Sequence, residues 1–184
     1  MALPKVPTSQ YTADEFLICG GSILFRNLPP SSPLEICLLF HSTRQEWILP
    51  KGRKDQDESI SNAVIRETYE ETGYPCKLLP VKMETRAPSV GSQTKDAVVL
   101  VEECCEPFMM TLRQVNERNV KLIWWYITVV DGERVDGTQT AVENYVPRFM
   151  PVDEALQSAE FQSDRDVIER AIKLVVDTYS PRTA

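Results

Sequence analysis

The chain holds a single histidine, His41, in 184 residues, and its 20 basic residues are outnumbered by 27 acidic ones, a formal charge of −7. A general nucleic-acid binder presents a basic face to the phosphate backbone, so that role is not expected. A small anionic ligand is not excluded, because it responds to the local field of a cleft rather than to net charge. No run approaches 18 apolar residues, and Met1 to Glu15 carries no apolar leader-like segment, so neither membrane spanning nor secretion is expected. The five cysteines, Cys19, Cys37, Cys76, Cys104 and Cys105, are odd in number, lack C-x-x-C spacing and sit mostly in apolar runs. They read as small core residues of a protein from a reducing compartment, the cytoplasm first and the nucleus as an alternative. Repeats and low-complexity segments are also missing.

What is present is a 42% hydrophobic content, enough to bury one core and little more. We expect a tail at 1–14, one domain over 15–179 with an insert at about 84–119, and a short tail at 180–184. Phe16 to Phe25 reads as a strand, with Gly20-Gly21 marking a bulge or a close backbone approach. After a turn at Asn27 to Pro33, the run from Leu34 to His41 reads as its antiparallel partner. Trp47 to Leu49 is a short strand, Lys51 to Asp57 a charged loop, and Glu58 to Thr72 a helix started by Ser59 and stopped by Gly73. Cys76 to Met83 and Val120 to Val130 read as strands, and Glu84 to Asn119 between them as an elaborated hairpin or a lid. Asp131-Gly132 signals a turn, Gly137 to Thr140 a loop, and Tyr145 to Met150 a last strand. Helices at Val152 to Ser158 and Ser163 to Thr178 close the chain, the second with an apolar stripe at Val167, Ile168, Ala171, Ile172 and Val175. This alternation of periods predicts a mixed α/β sandwich.

The helix over Glu58 to Thr72 carries the chemistry. At about 100° per residue, Ile60, Ala63 and Val64 form a stripe that Glu67, Glu70, Glu71 and Tyr74 continue. A solvated acidic face lies opposite the apolar stripe; here the acids extend it. Three carboxylates at i, i+3 and i+4 repel one another and lie near the negative end of the helix dipole, so a cation is called for. Hard oxygen donors of this kind suit Mg²⁺, with Mn²⁺ as the alternative.

The string G-R-K-D-Q-D-E-S-I-S-N-A-V-I-R-E-T-Y-E-E-T-G-Y, Gly52 to Tyr74, resembles the Nudix box, G-x5-E-x7-R-E-U-x-E-E-x-G-U, at every fixed position: Gly52, Glu58, Arg66, Glu67, Glu70, Glu71 and Gly73. Thr68 and Tyr74 stand where the family usually has bulky aliphatic residues. The resemblance implies a Nudix α-β-α sandwich, an α/β (α+β) fold with a mixed central sheet and a catalytic loop and helix, and it extends over most of 16–178. It also implies divalent ions held by the Gly52 carbonyl and by Glu67, Glu70 and Glu71. Glu58 would join the metal shell or support it, and Arg66 would fix an acid by a bidentate pair. The catalytic set is then Arg66, Glu67, Glu70 and Glu71, with Glu143 as a further candidate ligand or base.

The implied reaction is hydrolysis of a phosphoanhydride in a nucleoside-diphosphate-linked or polyphosphorylated small molecule. The entry W-I-L-P-K-G-R resembles that of members acting on dinucleoside polyphosphates and diphosphoinositol polyphosphates. Lys51, Arg53 and Lys54, at the mouth of the helix, are candidate phosphate ligands, as are Arg86 and, less directly, Lys95 and Arg113. Trp124, Trp125 and Tyr126 offer either a stacking face for a base or core packing; alternation sends at least one inward. His41 reads as structural. The competing class is a catalytically silent Nudix module used for binding or regulation, but silent members usually lose box carboxylates and this chain retains them all.

Overall fold

A computed structural model describes residues 6–29, 33–92, 95–140 and 143–180. The first five residues, the 30–32 part of the expected turn and the tail beyond Ser180 lie outside the described residues.

Two long apolar segments form the centre of the sheet. β1 (Phe16–Arg26) and β9 (Val120–Val130) are each 11 residues long and mostly buried. They run parallel, with Phe16 opposite Val120 and Phe25 opposite Val129. Near-continuous apolar sequence is what a strand covered on both faces requires. The expected antiparallel partner, β2 (Glu35–His41), meets β1 only at its far end, where Phe25 faces Ile36 and Arg26 faces Glu35. There the strands diverge, and β3 (Glu46–Ile48) joins β2 while β4 (Lys51–Arg53) joins β1. The expected loop at 51–57 therefore begins as a strand.

The sheet is completed by β5 (Cys76–Leu78) and β8 (Met109–Gln114) on the outer side of β9, and by β10 (Tyr145–Pro151) on β2. Its order is β10-β2-β1-β9-β5, with β3, β4 and β8 beside this path. The single strand expected over Cys76 to Met83 is two, because Leu79 turns inward, its N–H bonding to Ile127 O, and the chain leaves the sheet at Pro80. β6 (Val81–Thr85) instead pairs with β7 (Val99–Cys104) as a separate two-stranded sheet. The insert range thus holds a hairpin arm and β8.

α1 (Ile60–Thr72) packs on one face of the sheet, and α2 (Val152–Ser158) and α3 (Gln162–Tyr179) lie on the other. The result is a mixed α+β sandwich. Alternation divides the sheet residues: Ile23, Phe25, Ile123, Trp125 and Ile127 join Val167, Ile168, Ala171 and Val175 in one core. On the opposite face α1 lies directly on β1, and a β-carbon at Gly20 would press into Val64. The glycine pair thus marks a close approach. No helix among the described residues is long and apolar enough to cross a membrane.

α1 has both of its expected ends. Ser59 is extended and its hydroxyl accepts the Asn62 N–H at 3.1 Å. Gly73 has φ 77°, the left-handed cap conformation, and donates to Tyr69 O. The two departures from aliphatic residues are absorbed locally. Thr68 is buried and bonds Val64 O at 2.6 Å, while Tyr74 packs edge-on against Phe149.

Candidate functional site

β4 places Gly52 opposite Gly20 and beneath α1. A β-carbon at Gly52 would overlap the Glu67 carboxyl group, so glycine here leaves that carboxylate room to stand against β4. One turn further on, Glu71 is buried, and its Oε2 accepts the Lys51 backbone N–H at 2.8 Å. Burial pushes the Glu71 carboxyl up to about 8, against the pull of the Lys51 charge and N–H. Burial also raises Glu67, opposed by its contact with Arg66. Desolvation thus disfavours ionisation of both acids, a cost that a nearby cation removes.

The third acid comes from a distant part of the chain. Glu67, Glu71 and Glu143 each offer a carboxylate oxygen, and these lie within 4.8 Å of one another. Glu143 is oriented by Thr140, whose N–H and hydroxyl both donate to its Oε2, at 2.8 and 2.9 Å. The loop bearing Thr140 is itself fixed to α1. The last carbonyls of a helix lack intrahelical donors, and here Thr138 Oγ1 donates to Glu70 O while Gln139 Nε2 donates to Glu71 O. Gln139 also bonds both the N–H and the carbonyl of Tyr145, joining the loop to β10.

Arg66 organises the rim. Its Nε and Nη2 form a bidentate pair with Glu58, at 2.9 and 2.8 Å, and Nη2 also donates to Arg53 O. Nη1 reaches Glu67 at 2.8 Å and Glu70 at 3.0 Å. The hydrogen bond from Arg66 holds Glu58 below the usual carboxylate range. A guanidinium fork is the side chain suited to such a task.

These residues line a cleft of about 610 Å³ that gathers Lys51, Gly52, Arg53, Arg66, Glu67, Glu70, Glu71 and Glu143 from the sequence reading. Glu58 stands behind Arg66, outside the cleft wall. Lys54 turns its ammonium to Asp55 O. Arg86 is elsewhere: it pairs with Asp96 at 2.8 Å beside a separate cavity of about 410 Å³ on the hairpin arm. The cleft adds five residues that were not expected there: Cys19, Asp55, Lys121, Thr140 and Tyr145. Lys121 had a signal, as a lone charge in an otherwise apolar strand. Thr140 had none, since its part depends on where a loop is attached.

The aromatic run does not enter the cleft. Trp125 is 1% exposed and donates its indole N–H to Thr111, Tyr126 is buried, and Trp124 faces an apolar hollow with Tyr11 and Phe16. His41, at the end of β2, packs edge-on against Tyr145 of β10.

The Nudix domain family matches residues 32–171. The chain belongs to the Nudix hydrolase family. It is 23% identical over 186 residues to an 8-oxo-(d)GTP phosphatase of Mycolicibacterium smegmatis, covering 96% of this chain and 48% of that protein. It thus spans about half the length of that relative. It is 26% identical over 164 residues to the asymmetrical bis(5'-nucleosyl)-tetraphosphatase of Rattus norvegicus, covering 87% of this chain and 95% of that enzyme. Among solved structures, an Ap4A hydrolase binary complex from C. elegans superposes with a TM-score of 0.59 at 16% identity, covering 88% of this chain and 98% of the other. That likeness establishes the fold.

Proposed function

We propose that this Nudix chain is a catalytically active, divalent-metal-dependent hydrolase of phosphoanhydrides, and that its substrate is a dinucleoside polyphosphate or a diphosphoinositol polyphosphate. The observation that carries the reading is the convergence of Glu67, Glu71 and Glu143 within 4.8 Å, two of them buried, in one cleft. Carboxylate oxygens alone make a hard donor set that fits Mg²⁺, or Mn²⁺. Glu67, Glu71 and Glu143 would hold the ion, with Glu70 and the Gly52 carbonyl beside them. When bound, it neutralises charge on the anhydride oxygens and favours ionisation of water at neutral pH.

The chain's own residues supply the rest. Lys51 and Arg53 bind the phosphates flanking the scissile bond. Arg66 positions Glu67 and Glu70 and is itself held by Glu58. Glu143, fixed by Thr140 and partly open to the cleft, accepts the proton of the attacking water. Support for the substrate class comes from the tetraphosphatase relative, matched over 95% of its length.

The test is a panel of diadenosine tetraphosphate, a diphosphoinositol polyphosphate, ADP-ribose and 8-oxo-dGTP, given to chelator-treated protein with Mg²⁺ or Mn²⁺ restored and products identified. Turnover of either of the first two, lost on chelation, is expected. Ligand binding with no turnover across the panel would instead support a silent binding module.

A further inference from the structure

The strands of the described structure carry eight lysines and arginines. Arg26, Lys77, Lys82 and Arg148 each hold a carboxylate in an ion pair. Lys51, Arg53, Lys121 and Arg113 hold none among the described residues. In a chain of net charge −7, four strand cations with no carboxylate in ion-pair contact call for an explanation, Lys51 and Arg113 feeling Glu71 or Asp164 only at longer range.

Register puts all four on one face. Arg53 on β4 lies opposite Cys19 on β1, and Lys51 lies opposite Gly21. Lys121 on β9 lies opposite Leu17 on β1 and opposite Arg113 on β8. Residues paired across strands share a face, and alternate residues along a strand do too. The cations therefore form a row across β4, β1, β9 and β8, three interstrand spacings or about 14 Å. Their fields overlap as this geometry requires: Lys121, Lys51 and Arg53 all act on the Cys19 thiol, and Lys51 and Arg113 both act on Asp164 at the start of α3.

The row lies on the α3 side of the sheet, and its β4 end meets, at the cleft, the carboxylates that α1 brings from the other side. Lys51, Arg53 and Lys121 line the same cleft as Glu67 and Glu71, and Arg113 stands one strand further out. The phosphates flanking a scissile anhydride at the acids are answered by Lys51 and Arg53, and they leave Lys121 and Arg113 unused. We propose that Lys121 and Arg113 form a distal anion subsite for phosphate groups beyond the cleaved anhydride, which selects polyphosphorylated substrates over those with a single diphosphate. The inference rests on the hydrolase reading for its site of cleavage, but the subsite has a binding test of its own.

Lys121→Gln, Arg113→Gln and the double variant are compared with wild type for kcat/KM on diadenosine tetraphosphate, a diphosphoinositol polyphosphate and ADP-ribose. Each lost charge-assisted contact should lower the ratio of polyphosphate to ADP-ribose efficiency about 10-fold, mainly through KM, with substantial recovery in Lys121→Arg. Equal losses on all three substrates, or none, would overturn the proposal. Calorimetric binding of inorganic tripolyphosphate to chelator-treated protein is the second arm. It should weaken by a similar factor in the double variant, and more steeply at low salt. Unchanged tripolyphosphate affinity overturns the subsite even if wild type is active. A wild type inactive on the whole panel but losing tripolyphosphate affinity in the double variant removes the hydrolase reading and leaves the subsite standing. Thermal melts identify a variant that is merely unfolded, and Arg113→Gln, at an exposed position on β8, then carries the test.

Discussion

Two groups of acids flank the same cleft, and they are balanced differently. On the rim, Glu58 and Glu70 face a guanidinium already in place, with Arg66 spanning both and reaching Glu67 as well. On the floor, Glu71 is more deeply buried, and its bonded partner is a backbone N–H, with Glu67 and Glu143 crowding it. The rim is a finished electrostatic structure. The floor has no cationic side chain in contact with Glu71, which is where the proposed ion would complete it, and Glu67, touching Arg66 on one side and the floor on the other, couples the two.

The sharpest way to break this contrast is Glu71→Gln. Under saturating Mg²⁺, kcat should fall on the order of 10³-fold, the scale seen when one preorganised charge-stabilising group is removed. The chelator-treated variant should melt no lower than wild type at pH 8, since the amide spares the fold a buried charge. A large fall in melting temperature together with intact kcat would reverse the assignment of the floor.

Arg66→Lys addresses the rim. A lysine keeps the charge but cannot span Glu58, Glu67 and Glu70 with a planar fork. Activity should drop roughly 10- to 100-fold through weaker metal binding, and raised Mn²⁺ should recover part of it. Loss that no metal concentration recovers would mean that Arg66 acts directly on substrate.

The smallest effect is a dependence on pH. Because the folded protein raises Glu71 from 4.5 to about 8, the unfolded chain releases this proton more readily. Stability from this group is therefore full below about pH 4.5 and is lost as pH rises toward 8. Melting temperatures in chelator should decline across that window more steeply for wild type than for Glu71→Gln. Mg²⁺ favours the ionised acid, so its stabilising increment should grow with pH and level off above about 8. A Mg²⁺ increment independent of pH would show that Glu71 does not hold the ion.

Much of this was readable in residue order, and what escaped has physical causes. α1 was legible with both caps, because capping chemistry is local: Ser59 reaches Asn62, and Gly73 adopts a positive φ. β9 and α2 were found to the residue, since long apolar alternation and a short amphipathic turn leave few competitors. The break between β5 and β6 was missed because apolar content continues through Leu79 and Pro80, and only pairing distinguishes the two strands. In the cleft, spacing along one helix placed Glu67 and Glu71, but the cationic row depends on register between strands far apart in sequence. Lys121 meets Arg53's neighbourhood only because β1 lies between them. Arg86, a candidate phosphate ligand within the insert, instead pairs with the local acid Asp96.

The attachment of the Gln139 loop to α1 also has a consequence for how the chain folds. Its bond to Glu71 O joins residues 68 apart in sequence, and an ion held by Glu71 and Glu143 would tie the same two regions. Such a tie resembles a reversible cross-link closing a long loop, whose formation carries an entropic cost that only near-complete assembly offsets. An isolated peptide of α1, though it carries most of the motif, would therefore bind the ion poorly. Slowed amide exchange at Thr140 and Tyr145 on adding Mg²⁺ would register the cross-link closing.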